Sequence, residues 1–218
     1  MRILAILYGE RINMVDELLK DNLTWFPEKG IGYYPVKDFP YDDNYFNKYK
    51  GYAETGMGIK VTQVRISFIS RFHSGKVLDI GIGCGQFILS RENTFGYDVN
   101  PAGVKWLKEK ELFLDLYGKR KFDVLTFWDS LEHISDPEKA INQSKKWVFI
   151  SLPIFNNLSH VLSSKHFRRN EHFWYFTHDG LVHWFSENGF DFIEFTNEET
   201  KLGRDGILTY AFRRRKNG

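Results

Sequence analysis

Residues 77–87 read Val77-Leu78-Asp79-Ile80-Gly81-Ile82-Gly83-Cys84-Gly85-Gln86-Phe87, an apolar run that ends in an acid and continues into three alternating glycines. The apolar part predicts a buried strand. Without β-carbons, the glycines let a ligand lie directly against the backbone, whose amide N–H groups can then donate to it. The stretch therefore predicts a strand followed by a loop that binds a small molecule.

The acids around this loop indicate what kind of molecule it binds. Asp98 ends a short strand nineteen residues after Asp79, where a doubly wound sheet places a carboxylate for ribose hydroxyls. Dinucleotide sites use G-x-G-x-x-G to receive a diphosphate, whereas this chain has D-x-G-x-G-x-G. Because the acid before the loop repels a diphosphate and attracts a cation, we expect a nucleoside with a cationic group. A nicotinamide-dependent oxidoreductase is the less favoured alternative.

At these residues the chain resembles the class I S-adenosylmethionine (SAM)-dependent methyltransferases. The glycine loop matches that family's first motif, Tyr97-Asp98-Val99-Asn100-Pro101 its ribose-binding acid, and Leu114-Asp115-Leu116 the acid near the adenine. The stretch 122–133 matches the fourth strand and the loop after it. The resemblance covers residues 76–154 and implies SAM as the cofactor. The implied cofactor-binding residues are Asp79, Gly81, Gly83, Gly85, Asp98, Val99, Asp115, Leu116 and Trp128.

The order of strand and helix patterns after residue 76 predicts the fold class. Strands, including a short one near residues 113–115 and one over residues 122–128, alternate with helices, one of which begins at Pro101. This alternation indicates a parallel sheet covered on both faces. We expect an α/β, Rossmann-like, doubly wound and mostly parallel seven-stranded sheet, with an antiparallel final strand near residues 208–212. Residues 75–218 would form the SAM-binding core, and residues 1–74 a helical and irregular, aromatic N-terminal extension. Within that extension, apolar spacing predicts helices over 10–24 and from Ile59 to Phe72, the second capped by Thr55.

Candidate catalytic residues follow from the chemistry of methyl transfer, in which positioning dominates and a base is needed only if the acceptor arrives protonated. His133 follows the fourth strand and has a side chain suited to proton removal near neutral pH; the alternative is a histidine that caps the loop. Residues 153–177 would form a lid over the acceptor. In it, His172 and Tyr175 are pocket candidates because their polar ends need partners, while Phe173 and Phe176 fit core packing equally well.

A metal site is an open alternative at the same loop. The pattern Asp129-x-x-Glu132-His133 resembles the loop of ubiquinone-biosynthesis O-methyltransferases, where acids and histidine are associated with a divalent cation. The spacing could gather two oxygens and an imidazole. However, the same Leu-Glu-His sequence is widespread in the wider family, and Glu132 is then an acid at a helix start. We therefore assign no metal ligands.

Composition and motifs argue against several partners and locations. Lys+Arg 30 against Asp+Glu 28 gives a net charge of +2, which does not indicate a nucleic acid partner. DNA is also disfavoured because Asp129-Ser130-Leu131-Glu132 replaces the D/N/S-P-P-Y/F tetrad of amino-methylating DNA enzymes. The single cysteine, Cys84, lies in the glycine loop and excludes an internal disulfide. With no signal-peptide core and no run that could span a membrane, we expect a cytoplasmic protein.

The expected function is transfer of a methyl group from SAM to an oxygen or nitrogen of a small-molecule acceptor. One alternative is a catalytically inactive SAM-binding subunit or sensor that serves a partner protein. Another is an RNA or protein methyltransferase. The sequence leaves the identity of the acceptor and the oligomeric state open.

Overall fold

The computed structural model describes residues 18–20, 22–37 and 49–216. Strands in this part of the chain are β1 (Leu18–Lys20), β2 (Leu23–Phe26), β3 (Ile31–Tyr33), β4 (Val77–Ile80), β5 (Thr94–Tyr97), β6 (Phe122–Trp128), β7 (Ser144–Phe155), β8 (Trp174–Thr177), β9 (Phe190–Thr196) and β10 (Ile207–Arg214). The helices are α1 (Gly56–Ser70), α2 (Gln86–Ser90), α3 (Pro101–Glu109), α4 (Pro137–Ile141), α5 (Leu158–Ser163), α6 (His178–Glu187) and α7 (Glu198–Lys201).

The strands form one mixed sheet with a parallel centre. Its order is β1-β2-β3-β8-β7-β6-β4-β5, and β10 pairs with β7 and β9. The pairs β5-β4, β4-β6, β6-β7 and β7-β8 are parallel, while β10 runs antiparallel to β7. This confirms the Rossmann-like α/β fold with an antiparallel final strand. The sheet has ten strands in the described residues rather than the predicted seven, because β1, β2, β3 and β8 extend it and the strand predicted near residues 113–115 is absent from it.

Helices cover both faces of the central strands, as a doubly wound sheet requires. Successive side chains of a strand point to opposite faces. Leu78 packs in one core cluster with Leu181 and Phe185 of α6, whereas its neighbour Val77 packs in another with Phe68 of α1. Both faces are therefore buried, and the carboxyl ends of β4, β5 and β6 are left to form a site.

The predicted helix over residues 10–24 is wrong in its described part. Residues 18–20 and 23–26 form a hairpin in which Lys20 pairs with Leu23. Asn22 has φ 62°, the left-handed conformation that tight hairpin turns require. The apolar spacing suited a helix, but this turn interrupts it. Residues 10–17 lie outside the described residues, as do positions 38–48 of the segment expected to be irregular.

Other local predictions hold closely. β6 has the predicted bounds, α3 begins at Pro101, and the Thr55 side chain caps α1 by accepting from the Gly58 amide. The strand predicted near residues 113–115 is reduced to a single bridge between Phe113 and Gly96. No helix in the described part of the chain is both long and apolar enough to span a membrane.

Candidate cofactor and acceptor site

A cavity of about 430 Å³ opens at the carboxyl ends of the parallel strands. This volume lies within the range typical of small-molecule sites. The glycine loop and Asp98 line one end, and the turn after β6 together with residues 166–173 lines the other. One cavity therefore joins the predicted cofactor loop to the predicted acceptor residues.

The three loop glycines all have positive φ, but they serve different purposes. Gly81, Gly83 and Gly85 have φ of 75°, 57° and 81°. A β-carbon at Gly81 would lie 2.7 Å from the β-carbon of Ser130, and one at Gly85 would collide with the Trp106 ring. At Gly83 its nearest neighbours among the described residues would be atoms of the Tyr49 side chain, at 3.6 Å or more. Gly81 and Gly85 thus permit packing beneath the loop, while Gly83 leaves room on the cavity side.

Both predicted acids at the cofactor end line the cavity. Asp79 is buried and accepts a hydrogen bond of 2.7 Å from the Thr126 hydroxyl; burial raises the pKa of Asp79 to about 7. Asp98 accepts from the Ile82 amide at 2.9 Å and from the Asn100 amide at 2.7 Å. Because each carboxylate oxygen has two lone pairs, Asp98 braces the glycine loop and can still accept from ligand hydroxyls.

Most but not all of the remaining candidate cofactor-binding residues line the cavity. Val99, Leu116 and Trp128 line the cavity. Asp115 does not; its exposed carboxylate accepts from the amide of Tyr117, two residues along the same turn. The structure therefore gives Asp115 a turn-stabilising position, because the strand expected to carry it is only a bridge. Tyr117, which sequence reasoning missed, faces the cavity instead.

Three polar side chains gather at the other end of the cavity. Glu132 and His133 lie on the 3-10 turn Leu131–His133 after β6, and His172 precedes β8. Their ligand atoms lie within 4.8 Å of one another, and the His133 and His172 ring centroids are 4.6 Å apart. Neither Glu132 oxygen, nor Nδ1 of either histidine, bonds to another described residue. We call Glu132, His133 and His172 the acceptor-end cluster.

Burial sets the charge of this cluster. It lowers the pKa of His133 to about 4 and that of His172 well below its usual value, so both imidazoles are neutral at pH 7. Burial, together with the charge of Asp129, raises the pKa of Glu132 to about 8. The cluster therefore consists of neutral groups at the cavity wall, and their unpaired polar atoms are buried.

Asp129 does not join the cluster, although its spacing to Glu132 and His133 suggested that it could. It has φ 54° and bonds to Arg65 at 2.7 Å and to Arg204 at 2.9 Å. Burial acts to raise the pKa of Asp129, but the guanidinium charges outweigh it and hold that pKa well below its usual range. The same arginines bind buried Glu199. No motif identified Arg65, Arg204 or Glu199 in the sequence, because the network joins three distant segments.

Tyr175 is not brought to the cavity. It lies in β8, fully buried, and packs with Leu23, Trp25 and Phe155. The aromatic stretch expected at the end of a lid is therefore mainly a strand, since residues 174–176 pair with β3. His172 and Phe173, immediately before it, do line the cavity.

More than half of the chain matches one protein-family model. A family model described as a methyltransferase domain matches residues 59–194. The chain belongs to this methyltransferase family. The match includes most of α1, the glycine loop, the cluster residues and most of β9, so the predicted membership is confirmed. No curated protein matches the sequence significantly.

Solved structures share the methyltransferase fold at low sequence identity. Magnesium protoporphyrin IX methyltransferase from Synechocystis PCC 6803, with bound S-adenosylhomocysteine, aligns with TM-score 0.56 and 13% identity over 79% of this chain and 95% of its own. A SAM-dependent methyltransferase from Thermotoga maritima aligns with TM-score 0.58 and 14% identity over 79% and 97%. Another, from Clostridium acetobutylicum, gives 0.54 and 14% over 78% and 99%. These likenesses confirm the class I fold.

Proposed function

We propose that this methyltransferase transfers a methyl group from SAM to an oxygen or nitrogen of a small-molecule acceptor. The observation that carries the proposal is a single cavity with the glycine loop at one end and the acceptor-end cluster at the other. Both reactants have to share this enclosed space. A small acceptor fits it better than a folded macromolecule does.

The residues at the cofactor end suit an adenosine with a cationic tail. Gly83 leaves the loop backbone accessible, and Asp98 offers lone pairs to ribose hydroxyls. Asp79 lies beneath the loop and supplies a carboxylate toward the positive end of the molecule. Held by these residues, SAM would supply its methyl group: the carbon–sulfur bond would break with the electron pair staying on sulfur, and the acceptor atom would form the new bond to carbon.

The residues at the opposite end suit an acceptor that carries a proton. The neutral imidazoles and the carboxyl group of the acceptor-end cluster have free atoms that can accept a hydrogen bond from a hydroxyl or amine. Phe173 and Ile207 add apolar walls. These contacts orient the acceptor atom, and the unprotonated His133 imidazole can take its proton; orientation is the larger part of the barrier reduction in such a displacement.

The experiment compares His133→Ala with wild type in two assays. Methyl transfer is measured with radiolabelled SAM on a panel of phenols, alcohols and amines, and SAM affinity is measured by calorimetry. We expect turnover to fall by about 10²- to 10⁴-fold while SAM affinity changes by less than about threefold. His183→Ala is the control because His183 is exposed on α6.

Two outcomes would contradict the proposal. An equal loss of SAM affinity in His133→Ala would place His133 in the cofactor site. Wild-type protein that binds SAM but methylates nothing in the panel would favour a SAM-binding subunit over an enzyme with a small acceptor.

A further inference from the structure

The acceptor-end cluster has the properties of a site built for a ligand. Glu132 is 1% exposed and His172 3% exposed. Both carboxylate oxygens and Nδ1 of each histidine lack a hydrogen-bond partner among other described residues. Buried polar atoms in native proteins are nearly always paired, so four unpaired atoms on three neighbouring side chains need an explanation. A bound group that interacts with the three side chains at once would explain these unpaired atoms.

We propose that Glu132, His133 and His172 bind a divalent transition-metal ion such as Zn²⁺ at the acceptor end of the cavity. Two imidazoles and one carboxylate form a ligand set used for zinc and for other transition metals that keep open coordination positions. Mg²⁺ and Ca²⁺ prefer oxygen ligands alone. The donor atoms already lie within 4.8 Å of one another. With bonds of about 2.0–2.2 Å, side-chain movements of about 1 Å bring them into range.

The neighbouring ion pairs decide which acid is available to a metal ion. Asp129 is already paired with Arg65 and Arg204. The ligand set is thus assembled across the fold from Glu132, His133 and His172, rather than from the local Asp129-x-x-Glu132-His133 sequence.

The role of the ion rests on the proposed function. All three ligands line the cavity, and three protein ligands leave at least one position open. A hydroxyl oxygen of the acceptor would take that position. A bound cation lowers the pKa of a coordinated hydroxyl, so the oxygen would release its proton to solvent water near neutral pH and become a better nucleophile. The inferred substrate class is therefore a hydroxyl-bearing small molecule.

Metal binding can be tested without SAM or acceptor. Metal-stripped full-length protein is titrated with Co²⁺, followed by its visible absorption, and with Zn²⁺ in competition with a chromophoric chelator. We expect one ion per chain, and a loss of affinity of at least about 10-fold in Glu132→Gln and in His172→Ala. His183→Ala removes a surface histidine that pairs with Glu187 at 3.2 Å, and should bind like wild type. Mg²⁺ should not compete.

The outcomes separate this inference from the proposed function. Absence of stoichiometric binding, or binding unchanged in both cluster variants, would overturn the metal site. If His172→Ala fails to fold by circular dichroism, the nearly isosteric Glu132→Gln decides. Methyl transfer that continues unchanged in chelator would leave the proposed function standing without the ion. Metal binding without methyl transfer would retain the site and contradict the proposed function.

Discussion

Asp79 shows how one buried carboxyl group can link cofactor binding to stability. It lies under the glycine loop, with Thr126 as its hydrogen-bond donor. The position suits attraction of a cationic ligand, yet in the free protein a charge there is poorly solvated. Residues that serve a ligand commonly reduce the stability of the unliganded fold. The Asp79 side chain should follow this pattern.

The pH dependence of stability tests this interpretation of Asp79. Burial raises its pKa from 3.8 to about 7 on folding, so the folded protein favours the protonated form. Its contribution to stability is therefore fully present below about pH 4 and is lost as the pH rises toward 7. Asp79→Asn should not show this loss. Between pH 4 and pH 8 its free energy of unfolding should therefore rise, relative to that of the wild type, by up to about 4 kcal/mol. Urea denaturation at both pH values measures the difference. A constant difference between the two proteins would contradict the assignment.

At the scale of elements, an ionic network ties helices to the floor of the site. Arg65 of α1 binds Glu199 of α7 at 2.8 Å and Asp129, just after β6, at 2.7 Å. Arg204 binds the same two acids, and Thr209 of β10 donates to Glu199. Because Glu199 is fully buried, loss of any one charge leaves others without compensation.

Glu199→Ala is accordingly expected to be strongly destabilising. Removing one partner of a buried ion pair typically costs about 3–5 kcal/mol in the free energy of unfolding. Glu194→Ala is the matched control because Glu194 pairs with Arg71 on the surface, bidentate at 2.6 and 2.7 Å, and exposed pairs contribute little. Chemical denaturation of both variants measures the contrast. Equal effects would mean that the buried network does not hold these elements together.

Some strands could be predicted from the sequence and others could not. β4 and β6 were predictable because each is a short apolar run next to a motif. β8 was assigned to a lid because its pairing partner, β3, lies more than 140 residues earlier in the chain. That pairing turns Trp174, Tyr175 and Phe176 into core residues and leaves His172 at the cavity.

The site was predictable to the extent that its chemistry is local. The glycine loop, Asp98 and His133 follow from motifs and reach one cavity. Asp115 does not, because its motif lies on a turn rather than on a full strand. The convergence of Glu132 with His172 depends on the packing of β8 against β7, which no local pattern records. Spacing alone pointed to Asp129 instead, whose carboxylate is taken by two arginines.

At the scale of the whole molecule, the sheet fixes the positions of the cofactor loop and the acceptor-end cluster at the two ends of one cavity. The carboxyl ends of β4 and β5 carry the cofactor loop and Asp98, and the carboxyl end of β6 leads to Glu132 and His133. β8 brings in His172. The central claim is that SAM lies against the glycine loop, with the methyl acceptor beyond it. A substitution whose side chain fills the space next to the loop backbone tests that claim without altering the rest of the sheet.

Gly83→Val and Gly189→Val form a matched pair for this purpose. Both glycines have positive φ, 57° and 80°, and an added β-carbon would meet no atom of the described residues closer than 3.5 Å at either position. The backbone strain is therefore similar, but only Gly83 lines the cavity. Circular dichroism and thermal melting should show comparable, modest destabilisation of the two variants.

Titration calorimetry with SAM on the wild type and these two variants is the most direct measurement. Wild type and Gly189→Val should bind SAM with affinities within about threefold of each other, whereas Gly83→Val should show no measurable binding because its side chain occupies the ligand's approach to the backbone. Wild-type affinity in a folded Gly83→Val, or no SAM binding by the wild type, would contradict the account.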